Sequence, residues 1–376
     1  MSLFGKGEEF SLGVDFGAGG IKIVELKKTK DRPQLWTYGI ASADLDIHIQ
    51  HHKEVGQELK IENEKKEAVK KPANIFANDS RIEEYGEILK GLCTQSKVRS
   101  KKAIASLPVS YIFHAVINLP KVDKKELEHH VRAKVKKMTP RPIEELQVAH
   151  QIIPPSSEGE KNKFMKVLVT AAPKDLVLFF TSIFQKAGLQ LVALETEAFA
   201  LERALVGKDK STSMVVDIGA ERTNFFIADQ GLPLTHRSIK FGGNSIDKLI
   251  MDKMGISAED AGQIKKDISL LPPEKMDIKM FESLVDPIVK EIQAGFDLFL
   301  HQMGNEEKRP EKIILTGGSA IFPPILNYIK QHFDVRVFVG DPWARIATQE
   351  SLKPVLYNIG PRMSVAIGLA VRNTER

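Results

Sequence analysis

Two short stretches of the chain could do the same chemistry. Val14-Asp15-Phe16-Gly17-Ala18-Gly19-Gly20-Ile21-Lys22-Ile23-Val24 is echoed by Val216-Asp217-Ile218-Gly219-Ala220-Glu221-Arg222-Thr223-Asn224-Phe225-Phe226. In each, an Asp stands near the end of an apolar run, an Asp-x-Gly-Ala step follows, and a second apolar run returns. The glycines leave room for backbone N–H groups to close on an anion. Two such turns facing one another would hold a polyphosphate from both sides. Asp15 and Asp217 would then offer oxygen to a hard cation or to its waters, because Mg²⁺ keeps several waters and takes few protein carboxylates. A nucleotide with Mg²⁺ meets both demands.

Other phosphate motifs do not apply. There is no G-x-x-x-x-G-K-[ST], and Gly17-x-Gly19 leads into the strand-like run Ile21, Ile23, Val24 rather than a helix, which the dinucleotide fingerprint requires. A third glycine element follows the apolar run 312–316: Gly317-Gly318-Ser319, then a helical pattern of Ile321, Ile325, Leu326 and Ile329. A glycine pair between strand and helix lets backbone lie flat against a ring, or else serves as a close-packed turn.

These elements need a scaffold, and the chain is long enough to supply one. At 376 residues and 42% hydrophobic content it can bury the cores of more than one domain. With 54 basic and 49 acidic residues the net charge is +5, too mild to argue for nucleic acid. Cys93 is the sole cysteine, which excludes an internal disulfide and any cysteine-based zinc site and suits a reducing compartment. The longest apolar runs, 176–180 and 365–371, fall well short of the ~20 residues of a membrane span. The opening Met1-Ser2-Leu3-Phe4-Gly5-Lys6 has no secretory core.

Along the chain, the first hairpin is expected to continue into a third strand with Trp36 and Tyr38 outward. The stretch 44–71 is dense in charge, and its His48, His51 and His52 lack a completing carboxylate or cysteine, so it reads as a solvated loop or a frayed helix. Ile82, Tyr85, Ile88, Leu89 and Leu92 mark a helix, and 103–107 the strand after it. From 108 to 187 the grammar becomes strand (109–119), helix, strand (147–153), strand (163–170) and helix (174–186), a compact unit inserted between the nucleotide elements. Its first helix turns Leu127, Val131, Val135 and Met138 inward and Lys124, Lys125, Arg132, Lys134, Lys136 and Lys137 outward, a solvated face or a docking patch. A strand over 190–195 and a helix over 196–205 return to the second hairpin. Beyond it, Gly242 and Gly243 precede a helix as an anion contact or a plain turn. In the helix after Ser257, Glu259 could reach a ribose hydroxyl and Lys265 a ring or phosphate, or the two could form surface pairs. Pro272-Pro273 breaks the chain before an amphipathic helix over 280–303.

The order hairpin, hairpin, Gly-Gly turn resembles the phosphate-1, phosphate-2 and adenosine elements of the actin-like ATPase superfamily. A closer resemblance rests on Gly13-Val14-Asp15-Phe16-Gly17-Ala18, Pro140-Arg141-Pro142-Ile143-Glu144-Glu145, Glu259-Asp260-Ala261-Gly262-Gln263-Ile264-Lys265-Lys266, Asp341-Pro342-Trp343 and the terminal Ile359-Gly360-Pro361-Arg362-Met363-Ser364-Val365-Ala366-Ile367-Gly368-Leu369-Ala370. Together they resemble the PilM family, the cytoplasmic actin-like proteins of type IV pilus assembly. That resemblance implies an α/β fold of two RNase H-like halves around a nucleotide cleft, with a small inserted subdomain as in FtsA. The implied divisions are 8–107 and 188–210 for the first half, 108–187 for the insert, 211–340 for the second half, and 341–376 for a C-terminal helix packing on the first.

It implies ATP with Mg²⁺ in the cleft, with Asp15, Gly17, Gly19, Gly20 and Lys22 on phosphate-1. Asp217, Gly219, Glu221 and Thr223 fall on phosphate-2, and Gly317, Gly318 and Ser319 on the adenosine loop. Glu197, on a helix that in actin folds carries a polar residue near the attacking water, is either the water-positioning group or an ordinary glutamate at a helix start. The implied partner is the N-terminal cytoplasmic peptide of PilN, docked between insert and first half, which would hold the chain peripheral to the inner-membrane pilus complex. Self-association stays open, and ATP turnover is expected to be slow at most. The chain departs from the family in Gly19-Gly20, where small hydroxyl residues are common, in the long 44–71 stretch and in Asp341, where Asn is common. Rival readings are an FtsA-like cell-division scaffold, whose terminal amphipathic helix is not expected after Val371, and a small-molecule kinase of the same superfold.

Overall fold

The structure, a computed structural model, describes residues 8–46, 79–153, 164–267, 279–302 and 305–374. The expected turn at 156–162, the charged stretch from 47 onward and the Pro272-Pro273 break lie outside them.

The first sheet grows from the first hairpin. β1 (Phe10–Gly17) and β2 (Gly20–Lys27) pair antiparallel across a two-residue turn, and β3 (Gln34–Ala41) pairs with β2. Gly20 closes that turn at φ +117°, and a Cβ there would lie 2.0 Å from the Ala41 carbonyl oxygen, so only glycine fits. β4 (Lys102–Leu107) and β8 (Gln190–Thr196) extend the sheet in parallel, giving the order β3-β2-β1-β4-β8. Nearly every residue of β1, β2 and β4 is buried, as expected of central strands covered on both faces.

The second half repeats the plan. β9 (Ser213–Ile218), β10 (Thr223–Asp229) and β11 (Leu232–Ile239) form the antiparallel part, and β12 (Lys312–Thr316) and β13 (Arg336–Val339) the parallel part, in the order β11-β10-β9-β12-β13. Around it lie α5 (Gly243–Met254), α6 (Ala258–Lys266), α7 (Lys279–Leu300) and α8 (Pro323–His332). α7 turns Phe281, Val285, Ile288, Ile292 and Phe299 into this core at helical spacing.

Between β4 and β8 the chain builds a smaller antiparallel sheet, β5 (Phe113–Leu119), β7 (Met165–Pro173) and β6 (Leu146–Ile152), covered by α2 (Lys124–Lys136). Leu127, Val131 and Val135 of α2 close a core with Val167, Val169 and Ala171. Met138 lies past the end of the helix and is 43% exposed, not inward as its spacing predicted. The expected strand 109–119 starts late, because Val109–Tyr111 forms one 3-10 turn before β5. α3 (Lys174–Lys186), read as the insert's last element, belongs to the first core. Its Leu176, Phe180, Ile183 and Phe184 pack with Phe16 of β1 and with α1 (Ser80–Gln95).

α4 (Glu197–Leu201) continues into a single π turn, Glu202–Val206, in place of the uniform helix expected to 205. The last helix, α9 (Lys353–Val371), lies on the first half, with Met363, Ala366, Ile367 and Ala370 against Val24 and Leu26. Its Trp343 neighbour is buried, donates from Nε1 to the Leu356 carbonyl at 2.9 Å and meets Tyr38 edge-on, so Tyr38 is not outward.

Candidate functional site

The matching hairpins bring their aspartates to one cavity of about 310 Å³ between the two sheets. Asp15 is the third residue from the end of β1, and Asp217 the second from the end of β9. Asp15 pairs across the hairpin with Lys22, and Asp217 with Asn224, so each aspartate has a partner set by register alone. The cavity wall also carries Gly17, Gly19, Glu197, Gly219, Glu221, Gly243, Lys265, Gly317, Gly318 and Ser319. Four expected residues are not on it. Gly20 closes the first turn from behind, Thr223 is buried and donates to the Phe241 carbonyl at 2.8 Å, Gly242 is the extended residue that caps α5, and Glu259 is exposed on α6. Gly20, Thr223 and Gly242 thus serve the turn and helix geometry, while Glu259 faces solvent.

The turn backbones are held in place. Gly219 N–H donates to the Arg222 carbonyl and Gly243 N–H to the Gly219 carbonyl, both at 2.9 Å, which ties the second turn to the start of α5. Gly317 has φ +90°, and a Cβ there would sit 2.4 Å from the Ile218 carbonyl oxygen and 2.5 Å from Asp217 Oδ1. Only glycine lets the loop after β12 come so close to the second aspartate.

The electrostatics of the wall are asymmetric. Lys22 Nζ donates to Asp15 Oδ2 at 3.0 Å and Ser106 Oγ to Asp15 Oδ1 at 2.9 Å, both buried. The Asp217 carboxylate has no hydrogen-bond or ion-pair partner among the described residues. Burial pushes its carboxyl up to about 7, the charge of Asp15 adds to this, and Lys22 opposes it. Glu197 stands well above the ordinary carboxylate range, through burial first and then repulsion from Asp15 and Asp217, against Lys22 and the Val109 N–H. Asn224 donates to Glu197 Oε2 at 3.2 Å while its own Oδ1 is buried without a partner.

Sequence reasoning missed Asn224, Ser106, Val109 and Arg362. The first three are legible only once register and neighbouring strands are known; Arg362 lay in a block with no assigned task. Among the described residues no three His, Cys, Asp or Glu side chains form a complete metal-holding group. The donor set nevertheless fits a cation that brings its own waters and anion, since the carboxylates of Asp15, Glu197, Asp217 and Glu221 line the cavity and Asp217 has no ion-pair partner among the described residues.

A family model described as type IV pilus assembly protein PilM matches residues 39–374. The chain belongs to the PilM family. Among solved structures, a PilM-PilN type IV pilus biogenesis complex aligns with a TM-score of 0.77 at 22% identity, over 97% of this chain and 99% of that one. The ethanolamine utilization protein EutJ from Carboxydothermus hydrogenoformans aligns with a TM-score of 0.51 at 14% identity, over 96% and 89%. These likenesses establish the fold, the actin-like ATPase fold with two sheet-bearing halves. By sequence, this PilM-family chain is also similar to cell division protein FtsA of Bacillus subtilis, 24% identical over 179 residues, and to chaperone protein DnaK of Elusimicrobium minutum, 28% identical over 213 residues. Those matches cover 42% and 43% of the chain but only 40% and 34% of the relatives, so it spans well under half the length of either.

Proposed function

We propose that this PilM-family chain binds ATP with Mg²⁺ in the cavity between its halves and docks the N-terminal cytoplasmic peptide of PilN, coupling nucleotide state to the inner-membrane pilus complex. The observation that carries the nucleotide reading is the meeting of Asp15 and Asp217 in one cavity, closed on a third side by Gly317-Gly318-Ser319. The turn N–H groups of both hairpins would hold phosphates, the loop after β12 the adenosine, and Asp15 and Asp217 the waters of the cation. Mg²⁺ supplies neutralising charge there when bound. Glu197 takes the place of a water-positioning group. Burial and the nearby charges of Asp15 and Asp217 disfavour its ionised form, which favours slow turnover, because a general base must be ionised.

The partner reading is supported by family membership and by the solved relative named as a PilM-PilN complex. No helix of the described residues is long and apolar enough to cross a membrane, so the proposed route to the membrane is the partner. Calorimetric titration with ATP tests the first part: binding should need Mg²⁺ and should fall at least tenfold in Asp217→Ala, and equal affinity in parent and variant would show that the phosphate-2 assignment is wrong. Capture of the chain on immobilised PilN N-terminal peptide, with and without ATP, tests the second. No capture in either state removes the partner claim.

A further inference from the structure

The terminal block from Ile359 to Ala370 carries one residue with no task in the packing, Arg362. Most of its neighbours on α9 are buried against the first half, yet Arg362 lines the cavity. Here α9 also touches the second half: the Pro361 carbonyl accepts from Gly317 N–H at 3.0 Å and from Thr316 Oγ1 at 3.1 Å. The aliphatic part of Arg362 runs along Gly318, its Cγ and Cδ lying 3.8 and 4.0 Å from where a Cβ on that glycine would stand. Its Nη2 donates to the Gly19 carbonyl at 3.3 Å and to Ser42 Oγ at 3.2 Å. The side chain therefore spans from the loop after β12 to the first hairpin turn, across the mouth of the site.

Both acceptors are neutral. Arg362 makes no ion pair among the described residues, whereas Lys22 and Lys265 on the same wall are paired with Asp15 and Asp247. Burial alone acts on the guanidinium and pulls its pKa down. Withdrawing a charge from water without a countercharge is costly, and removing such a group is commonly neutral or stabilising. A guanidinium also offers five donors in a planar fork that matches a phosphate, and the two long bonds leave most of that capacity unused.

We propose that Arg362 is a direct phosphate contact of the bound nucleotide, reached from the C-terminal helix and shared between the two halves. This rests on the nucleotide reading above. The test is thermal unfolding and calorimetric titration of the parent, Arg362→Met and Arg362→Lys with Mg²⁺ and ATP, and separately with adenosine.

Without ligand, Arg362→Met should melt at or above the parent temperature. Its ATP affinity should fall on the order of tenfold to a hundredfold, as loss of a charge-assisted hydrogen bond implies, with adenosine affinity unchanged. Arg362→Lys should fall between the two. Equal loss of ATP and adenosine would make Arg362 a base contact and overturn the assignment, as would unchanged ATP binding in Arg362→Met. A ligand-free loss of stability with binding intact would make it structural. A parent that binds no ATP removes the nucleotide reading, and this one with it, before any variant is compared.

Discussion

The two hairpins share a backbone plan and differ in the residue opposite the aspartate. In the first, Lys22 and the Ser106 hydroxyl both donate to Asp15, and the pair is almost fully withdrawn from solvent. In the second, the cross-strand position holds Asn224, which turns its amide N–H to Glu197. The strand beside Asp217 ends in Thr316, the counterpart of Ser106, and its hydroxyl bonds to Pro361 and Ser364 of α9. So one aspartate is satisfied by the protein itself, and the side chain of the other has no hydrogen-bond or ion-pair partner among the described residues. A duplicated frame has kept its geometry while its halves divided the labour: the first turn is complete without ligand, and the second carries the unmet charge.

The largest effect that could break this comparison is in the ligand-free protein. Asp15→Ala leaves Lys22 buried without its countercharge and should cost about 3 kcal/mol in urea unfolding, whereas Asp217→Ala should cost nothing or stabilise. Equal losses from the two would show that the hairpins are electrostatically alike.

The pH dependence comes next. The Asp217 carboxyl rises from 3.8 to about 7 in the folded chain, so between those values the folded form keeps a proton that the unfolded form has released. Its contribution to stability therefore falls as pH rises from about 4 to 7 and is level above. Asp217→Asn should remove this slope and gain roughly 1–2 kcal/mol at pH 8, less than the full shift implies because the carboxyl retains some contact with water. Unfolding curves at pH 5 and pH 8 that shift equally in parent and variant would contradict it.

Converting one hairpin toward the other sharpens the contrast. Asn224→Lys places a cation opposite Asp217 as Lys22 stands opposite Asp15; it should stabilise the ligand-free chain by about 1 kcal/mol at pH 8 and weaken the Mg²⁺ dependence of ATP binding. The smallest effect is that of Ser106→Ala, which removes one buried hydrogen bond and should cost roughly 0.5–1 kcal/mol in the same unfolding experiment.

The hairpins were legible because glycine, aspartate and alternating apolar residues leave few backbone options, and the duplication marked them as a pair. The run 312–316 and the Gly-Gly turn behind it were legible for the same reason. What could not be read was any task set by a distant neighbour. Thr223 and Glu259 have the chemistry of ligand groups, but one serves the Phe241 carbonyl and the other faces solvent. The apolar run from 109 was read as one strand. Its first turn coils after Pro108, which places Val109 N–H against Glu197. The near-continuous apolar character of α3 signalled burial but not against which sheet, since periodicity carries no address. Arg362 reaches the first turn only because α9 folds back over β1, a proximity that no spacing along the chain encodes.

β7 has a consequence for how the molecule could respond to a ligand. Its Ala172 is buried with the first half, its Leu168 with the second, and its Val167, Val169 and Ala171 within the small sheet itself. A single strand is thus a crossbeam mortised into three cores at once. Rocking of either half on the other must tilt that beam, and the outer surface of the small sheet must swing with it.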